Sequence, residues 1–232
     1  MTILAVIPAR YGATRLPGKP LADIGGKPMI VRVWERVSAA RGIDRVVVAT
    51  DDERIAAAVA GAGGEVALTG ACVSGTDRVA RVARTLRAEV VVNVQGDEPF
   101  IEPQVVERVI SGLGGIQTAM VPLDGDPGDP ARVKVVCDVT GRALYFSRLA
   151  IPRAGPWMLH LGVYAFTAEV LDTISRLAPS DLERSESLEQ LRWMEAGFPV
   201  QLVRVDSASR SVDTPQDLRD AQARWIRENP SV

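Results

Sequence analysis

A chain of 232 residues with 47% apolar and 24% charged side chains fits one large α/β domain and is long enough to bury a substantial core. Its formal charge of −2 excludes a global pull toward nucleic acid or an anionic membrane, so any anion binding has to be local. Cys72 and Cys137 stand apart without CxxC spacing, which argues against a disulfide framework or a zinc site; both read as small buried or partly buried hydrophobes.

The start, Met1-Thr2-Ile3, has neither the charged n-region of a signal peptide nor the apolar length of a membrane span, so a cytoplasmic enzyme is the expectation. Ile3 to Ile7 reads as a buried strand that runs into a loop shaped by Pro8, Gly12, Pro17, Gly18 and Pro20 and charged by Arg10, Arg15 and Lys19. Only Lys19, Lys27 and Lys134 break an otherwise all-arginine basic set, a bias that singles out positions where a compact ammonium is wanted. Ile30, Val33, Trp34 and Val37 recur at helical spacing. Arg45 to Ala49 predicts a buried strand ending at the polar turn Thr50-Asp51-Asp52. A helix over Ile55 to Val59 stops at Gly61, Gly63 and Gly64, and Glu65 to Leu68 is a third strand. Val79, Val82, Ala83 and Leu86 mark another helix, and Val90 to Val94 a strand with apolar residues on both faces. Past about Ala119 the alternation changes. Val133 to Val136 and Ala143 to Phe146 flank the turn Asp138-Val139-Thr140-Gly141 and read as a β-hairpin. Leu161 to Phe166 predicts a strand, Asp181 to Ala196 a helix, and Val200 to Val205 a strand. Thr214, Pro215 and Asp217 carry the start signals of a last helix. The expectation is α/β: a Rossmann-like, mostly parallel sheet flanked by helices, in a single domain 1–232 with a small β-hairpin-containing insertion near 122–154.

Ligands of parallel sheets bind beyond the carboxyl ends of the strands. There the sequence places Arg10, Arg15 and Lys19, then Gln95-Gly96-Asp97-Glu98-Pro99, and, after a late strand, Ser211-Val212-Asp213. Asp97 and Asp213 suit Mg²⁺, which takes one or two carboxylates plus substrate phosphates. Arg10 and Lys19 would hold those phosphates. No GxxxxGK[ST] is present, so a P-loop is excluded, and phosphoryl or nucleotidyl transfer asks for no protein nucleophile. Each feature has a plainer reading: solvated loop arginines, Asp97 capping a helix near Pro103, Asp213 merely preceding the Thr214 cap, and His160, the only histidine, packed structurally.

Taken together, Ile7-Pro8-Ala9-Arg10-Tyr11, Thr14-Arg15-Leu16-Pro17-Gly18-Lys19-Pro20, Gly26-Lys27-Pro28, Ser74-Gly75-Thr76-Asp77-Arg78, Val92-Asn93-Val94-Gln95-Gly96-Asp97-Glu98-Pro99, Val133-Lys134-Val135-Val136, His160-Leu161-Gly162-Val163-Tyr164, Ser187-Leu188-Glu189-Gln190-Leu191-Arg192 and Val212-Asp213-Thr214-Pro215 resemble the CMP-Kdo synthetase (3-deoxy-manno-octulosonate cytidylyltransferase) family over nearly the whole chain. The resemblance implies a Mg²⁺-dependent nucleotidyltransferase that joins CTP to an acid acceptor with release of pyrophosphate. By it, Arg10, Lys19 and Asp97 are catalytic, and Pro8, Ala9, Arg10, Arg15, Lys19, Ser74, Gly75 and Gln95 bind the nucleotide. Asp97 and Asp213 hold the metal, and Gln95, His160, Tyr164, Glu186 and Glu189 bind the acceptor. It further implies a homodimer whose partners are CTP and a small anionic acid, with no nucleic acid and no membrane.

Departures from the family pattern gather on the acceptor side. The usual long stretch before His160 is reduced to residues 153–159, the basic residue before the histidine is Leu159, and Ala131-Arg132 stands where an asparagine is usual. Two acceptors therefore stay open: Kdo or a related sugar acid, and a smaller phosphonate acid such as phosphonoformate. A nucleotide-binding module without turnover is the other class, disfavoured because binding alone does not require both metal carboxylates.

Overall fold

The computed structural model describes residues 1–12, 16–208 and 210–230. Its backbone contacts divide into two compact units, Met1–Gln104 with Ser209–Val232, and Val105–Ala208. The expected insertion near 122–154 lies inside the second.

In the first unit, β1 (Ile3–Ala9) is buried along its whole length. A one-turn 3₁₀ helix, Lys19–Leu21, leads into the short antiparallel pair β2 (Asp23–Ile24) and β3 (Lys27–Pro28). The helix α1 (Met29–Ser38) buries Met29, Ile30, Val33 and Val37, the face its 3.6-residue periodicity announces. Next come β4 (Arg45–Thr50), α2 (Glu53–Gly61), β5 (Glu65–Leu68), α3 (Gly75–Leu86) and β6 (Val90–Val94). These four long strands run in the order β6-β1-β4-β5 and are all parallel; Val6 faces Val47 on one side and Asn93 on the other. Asp52 caps α2 by accepting from the backbone of Arg54 and Ile55, and Ser74 caps α3 through the Asp77 N–H. Both helix starts therefore sit beyond carboxyl strand ends.

The second unit holds α4 (Pro103–Ile110) from Val105 onward, β7 (Ile116–Pro122), β8 (Lys134–Cys137), β9 (Ala143–Ser147) and β10 (Met158–Thr167). It continues through α5 (Ala168–Ile174), α6 (Asp181–Glu186), α7 (Gln190–Glu195) and β11 (Val200–Arg204). Here the sheet is mixed: β7 is parallel to β11 and antiparallel to β10, while β8 pairs antiparallel with both β10 and β9. The predicted hairpin is thus β8–β9. Lys134 is fully buried and donates to the carbonyls of Asp129, Arg132 and Arg148 at 2.8, 2.5 and 2.5 Å, tying the approach and exit of that hairpin to one ammonium.

The helix expected over Asp181 to Ala196 is broken. Ser187 takes φ 54°, its N–H bonds back to the Glu183 carbonyl, and α7 starts afresh at Gln190. The left-handed residue ends α6 as a C-cap does, a turn that a serine signals poorly. The first unit is completed by α8 (Pro215–Glu228), whose start is the predicted one: Thr214 and Asp217 form a reciprocal capping box with Pro215 in the first turn.

Candidate active site

A cleft of about 460 Å³ opens in the first unit at the carboxyl ends of β1 and β6. Its floor begins where β1 ends: Pro8 and Ala9 are buried and Arg10 is exposed. The loop that follows is held shut at Gly18, whose N–H donates to the Tyr11 carbonyl at 3.2 Å. Gly18 has φ +71°, and a Cβ there would stand 3.3 Å from the Tyr11 ring, so glycine suits the turn on both counts. The Arg54 guanidinium lies over the Tyr11 ring, 3.4 Å from its centroid. This closure sets the 3₁₀ turn that aims Lys19 inward. Arg15, expected to share the phosphates, falls outside the described residues.

Lys19 Nζ donates to Asp97 Oδ2 at 2.6 Å and to Asp213 Oδ1 at 3.0 Å. Burial works against its charge, but the two carboxylates outweigh it and raise its pKa above the ordinary lysine value. The carboxylates come from distant parts of the chain. They meet because the Val212 N–H donates to the Asp97 carbonyl at 2.9 Å, clipping the segment before α8 to the loop after β6. Asp213 follows a coil rather than a strand, which differs from the expectation. Its own N–H is held by Asp217 Oδ2, at 3.1 Å, so the capping box of α8 also fixes the backbone that presents it. The plainer reading of Asp213 and the functional one thus describe the same geometry.

The opposite wall is the start of α3, with Ser74 and Gly75, and the end of β6, with Gln95 and Gly96. Gln95 Nε2 donates to the buried Asn93 Oδ1 at 3.2 Å, which orients its amide. At Gly96 a Cβ would come within 2.9 Å of the Pro8 carbonyl oxygen and 3.2 Å of Ile30, so only glycine lets β6 and β1 end this close. Cys72, Val73 and Arg78 also line this wall and were not singled out as site residues by sequence reasoning. Arg78 closes the Ser74-Gly75-Thr76-Asp77-Arg78 motif, but nothing local in the sequence marks it as a buried arginine.

The remaining candidates lie in the second unit. His160 Nε2 is 3.0 Å from Thr118 Oγ1, which also approaches the Val163 carbonyl at 2.7 Å and the Leu161 carbonyl at 3.1 Å. A hydroxyl has one proton; given to a carbonyl, it leaves Oγ1 to accept the Nε2–H and Nδ1 unprotonated. Burial pushes the His160 pKa down to about 3, so the ring is neutral at physiological pH. It packs edge-on to Phe146 and tilted against Tyr164. Burial, with Glu189 adding to it, raises the Tyr164 phenol well above its ordinary value and keeps it a neutral donor.

Tyr164 Oη, Gln190 Nε2 and Trp193 Nε1 are buried, and none has a hydrogen-bond partner among the described residues. Buried polar atoms are almost always paired, so three orphans together mark space for a polar ligand or water. They are neighbours: the Tyr164 and Trp193 rings are 5.2 Å apart, and Gln190 and Trp193 sit three residues apart on α7. Gln190 and Trp193 were missed because an orphaned donor is a property of the packed state. Glu186 is differently used. Its Oε1 accepts from Ser147 Oγ at 2.8 Å and its Oε2 from the Arg148 N–H at 2.9 Å, bracing the end of β9. Glu189 lies 3.5 Å from Arg192, which is forked onto Glu183 at 2.6 Å.

Among the described residues no group of three or more His, Cys, Asp and Glu side chains is arranged to hold a metal. Asp97 and Asp213 nevertheless fit a magnesium ion, because oxygens of both already converge on a single cation, the Lys19 ammonium. Mg²⁺ ordinarily completes its shell with water and substrate phosphates rather than a protein cage. No helix among the described residues is long and apolar enough to cross a membrane.

Known proteins resemble this chain over nearly its whole length. A family model described as cytidylyltransferase matches residues 4–205. A 3-deoxy-manno-octulosonate cytidylyltransferase of Anaeromyxobacter dehalogenans is 52% identical over 95% of this chain and 96% of its own length. The mitochondrial one of Arabidopsis thaliana is 42% identical over 99% of this chain and 85% of its own. A CMP:2-keto-3-deoxy-manno-octonic acid synthetase solved in complex with CTP superposes with a TM-score of 0.94 at 40% identity, covering 98% of this chain and 100% of that one. A 4-diphosphocytidyl-2C-methyl-D-erythritol synthase of Anaerococcus prevotii shares the fold, with a TM-score of 0.67 at 15% identity. A parallel sheet with Lys19, Asp97 and Asp213 at its carboxyl edge, matched over nearly its full length by enzymes of one kind, places this chain in the 3-deoxy-manno-octulosonate cytidylyltransferase family.

Proposed function

We propose that the chain transfers a cytidylyl group from CTP to 3-deoxy-manno-octulosonate, giving the CMP-linked sugar acid and pyrophosphate. The observation that carries the chemistry is the Lys19 ammonium held between the Asp97 and Asp213 carboxylates. The acceptor is taken from what the relatives are named for. In the transfer an acceptor hydroxyl oxygen attacks the α-phosphorus, the bond to the bridging oxygen of pyrophosphate breaks, and the hydroxyl proton leaves to solvent. Arg10 and Lys19 hold the triphosphate and take up the charge that develops on it. Lys19 is already held in place by the two carboxylates, and a preorganised charge is where electrostatic catalysis gains most. Asp97 and Asp213 would hold Mg²⁺, which when bound neutralises phosphate oxygens and orients the leaving group. Ala9, Ser74, Gly75 and Gln95 form the cytidine side. Within the second unit we assign His160, Tyr164, Glu186 and Glu189 to acceptor binding, and the orphaned donors of Gln190 and Trp193 add hydroxyl- or carboxylate-binding capacity there. We also place the enzyme in the cytoplasm as a homodimer; sedimentation at the monomer mass would remove the second statement.

The test is pyrophosphate release. CTP with 3-deoxy-manno-octulosonate is expected to turn over, and ATP in place of CTP is not. Release with phosphonoformate and none with the sugar acid would reassign the acceptor. Release with neither, Mg²⁺ present, would end the reading.

A further inference from the structure

We infer that Arg78 is a positioning residue for the nucleotide, acting through the loop over residues 69–74 that walls the cleft. The inference rests on the cytidylyltransferase reading of that cleft and assigns a task to a residue the reading leaves idle. Arg78 is only 4% exposed. Its Nη2 donates to Asp51 Oδ2 at 2.8 Å, beyond the end of β4. Its Nη1 donates to the Gly70 carbonyl at 3.2 Å and to the Thr69 hydroxyl, beyond the end of β5. One guanidinium thus joins two strand ends to α3. One turn further on, Arg81 donates to the Thr69 carbonyl, and the Thr69 N–H is bonded to the Thr50 carbonyl at 2.9 Å. At the other end of the loop, Asp77 Oδ2 accepts from the Val73 N–H at 3.2 Å and Ser74 caps the helix.

The loop is therefore pinned at both ends. Cys72 and Val73, at the second of these pins, line the cleft, and Val73 is 95% exposed. A loop with an uncovered apolar side chain does not hold its place by packing; its hydrogen bonds must do so. The Arg78 fork makes bonds to two segments at fixed angles, which the single ammonium of a lysine cannot reproduce. The triphosphate groups Arg10 and Lys19 belong to the loop after β1, on the far wall. Loosening the 69–74 wall should weaken binding of ground state and transition state alike, which raises KM and leaves kcat.

The experiment uses Arg78→Lys, and Asp51→Asn as a milder variant at a half-exposed partner, in the full-length chain. Expected is a rise in KM and calorimetric Kd for CTP of roughly tenfold in the first and a few-fold in the second. The kcat should stay within about twofold and KM for the sugar acid should not move. Unchanged CTP affinity in both variants overturns the clamp, as does a parallel loss in kcat and both KM values, which marks general loosening. The wild-type turnover assay alone decides the cytidylyltransferase reading, and CTP binding by calorimetry bears on the clamp independently of turnover.

Discussion

Lys19 shows how much one side chain decides here. Its ammonium is shared by two carboxylates at 2.6 and 3.0 Å, and that geometry is set before substrate enters. Lys19→Met keeps the length of the stem and removes the charge. The expected loss is roughly 10²–10³ in kcat, the scale of one well-placed stabilising donor, with the fold retained; a kcat within a factor of two of wild type would remove Lys19 from the mechanism. His160 makes a second residue-scale prediction, on stability. Its folded pKa is near 3 and its ordinary value 6.5, so between those values the unfolded chain binds the proton more readily. The stabilising contribution is whole above pH 6.5 and drains as pH falls toward 3. Urea unfolding should therefore lose roughly 2 kcal/mol from this group between pH 8 and pH 5. His160→Gln should flatten that portion of the curve, and an identical pH slope in both proteins would refute the buried neutral imidazole.

At the scale of elements, the sequence was readable wherever structure is local. The caps at Asp52 and at Thr214 with Asp217, the turn at Gly18, and the apolar strands β1, β4 and β6 all follow from patterns of a few neighbouring residues. The break at Ser187 was not readable, because its left-handed backbone is stabilised by a bond to Glu183 and by the arginine fork of Arg148, just past the end of β9, onto the Glu186 and Ser187 carbonyls. The site divides in the same way. Lys19, Asp97 and Asp213 are legible as charged punctuation after strands or before a helix. Arg78, Gln190 and Trp193 are not, since burial and orphaned donors arise only on packing. Gly96 tests the element scale. Gly96→Ala puts a methyl 2.9 Å from a backbone oxygen, which side-chain motion cannot relieve. The ends of β6 and β1 must part, at about 1–3 kcal/mol in stability. CTP affinity should fall with it, and a variant of wild-type stability and affinity would show that the two strand ends are not so closely held.

For the molecule as a whole, Lys134 asks whether the two units unfold together. Its ammonium is fully buried and bound to carbonyls alone, and burial lowers its pKa while nearby Asp129 offsets part of that. The three carbonyls it satisfies belong to residues 129, 132 and 148, all within the second unit. Lys134→Met fills the same volume but orphans those oxygens, and is expected to cost about 3 kcal/mol or more. Because none of the lost bonds reaches β1, β4 or β6, the damage should be regional. Hydrogen exchange should accelerate for amides of β8, β9 and the start of β10, while the all-parallel strands of the first unit keep wild-type protection and CTP still binds. If instead protection falls equally in β1 and β6, the chain opens as one cooperative body, and the grouping of its backbone into two units has no counterpart in its energetics.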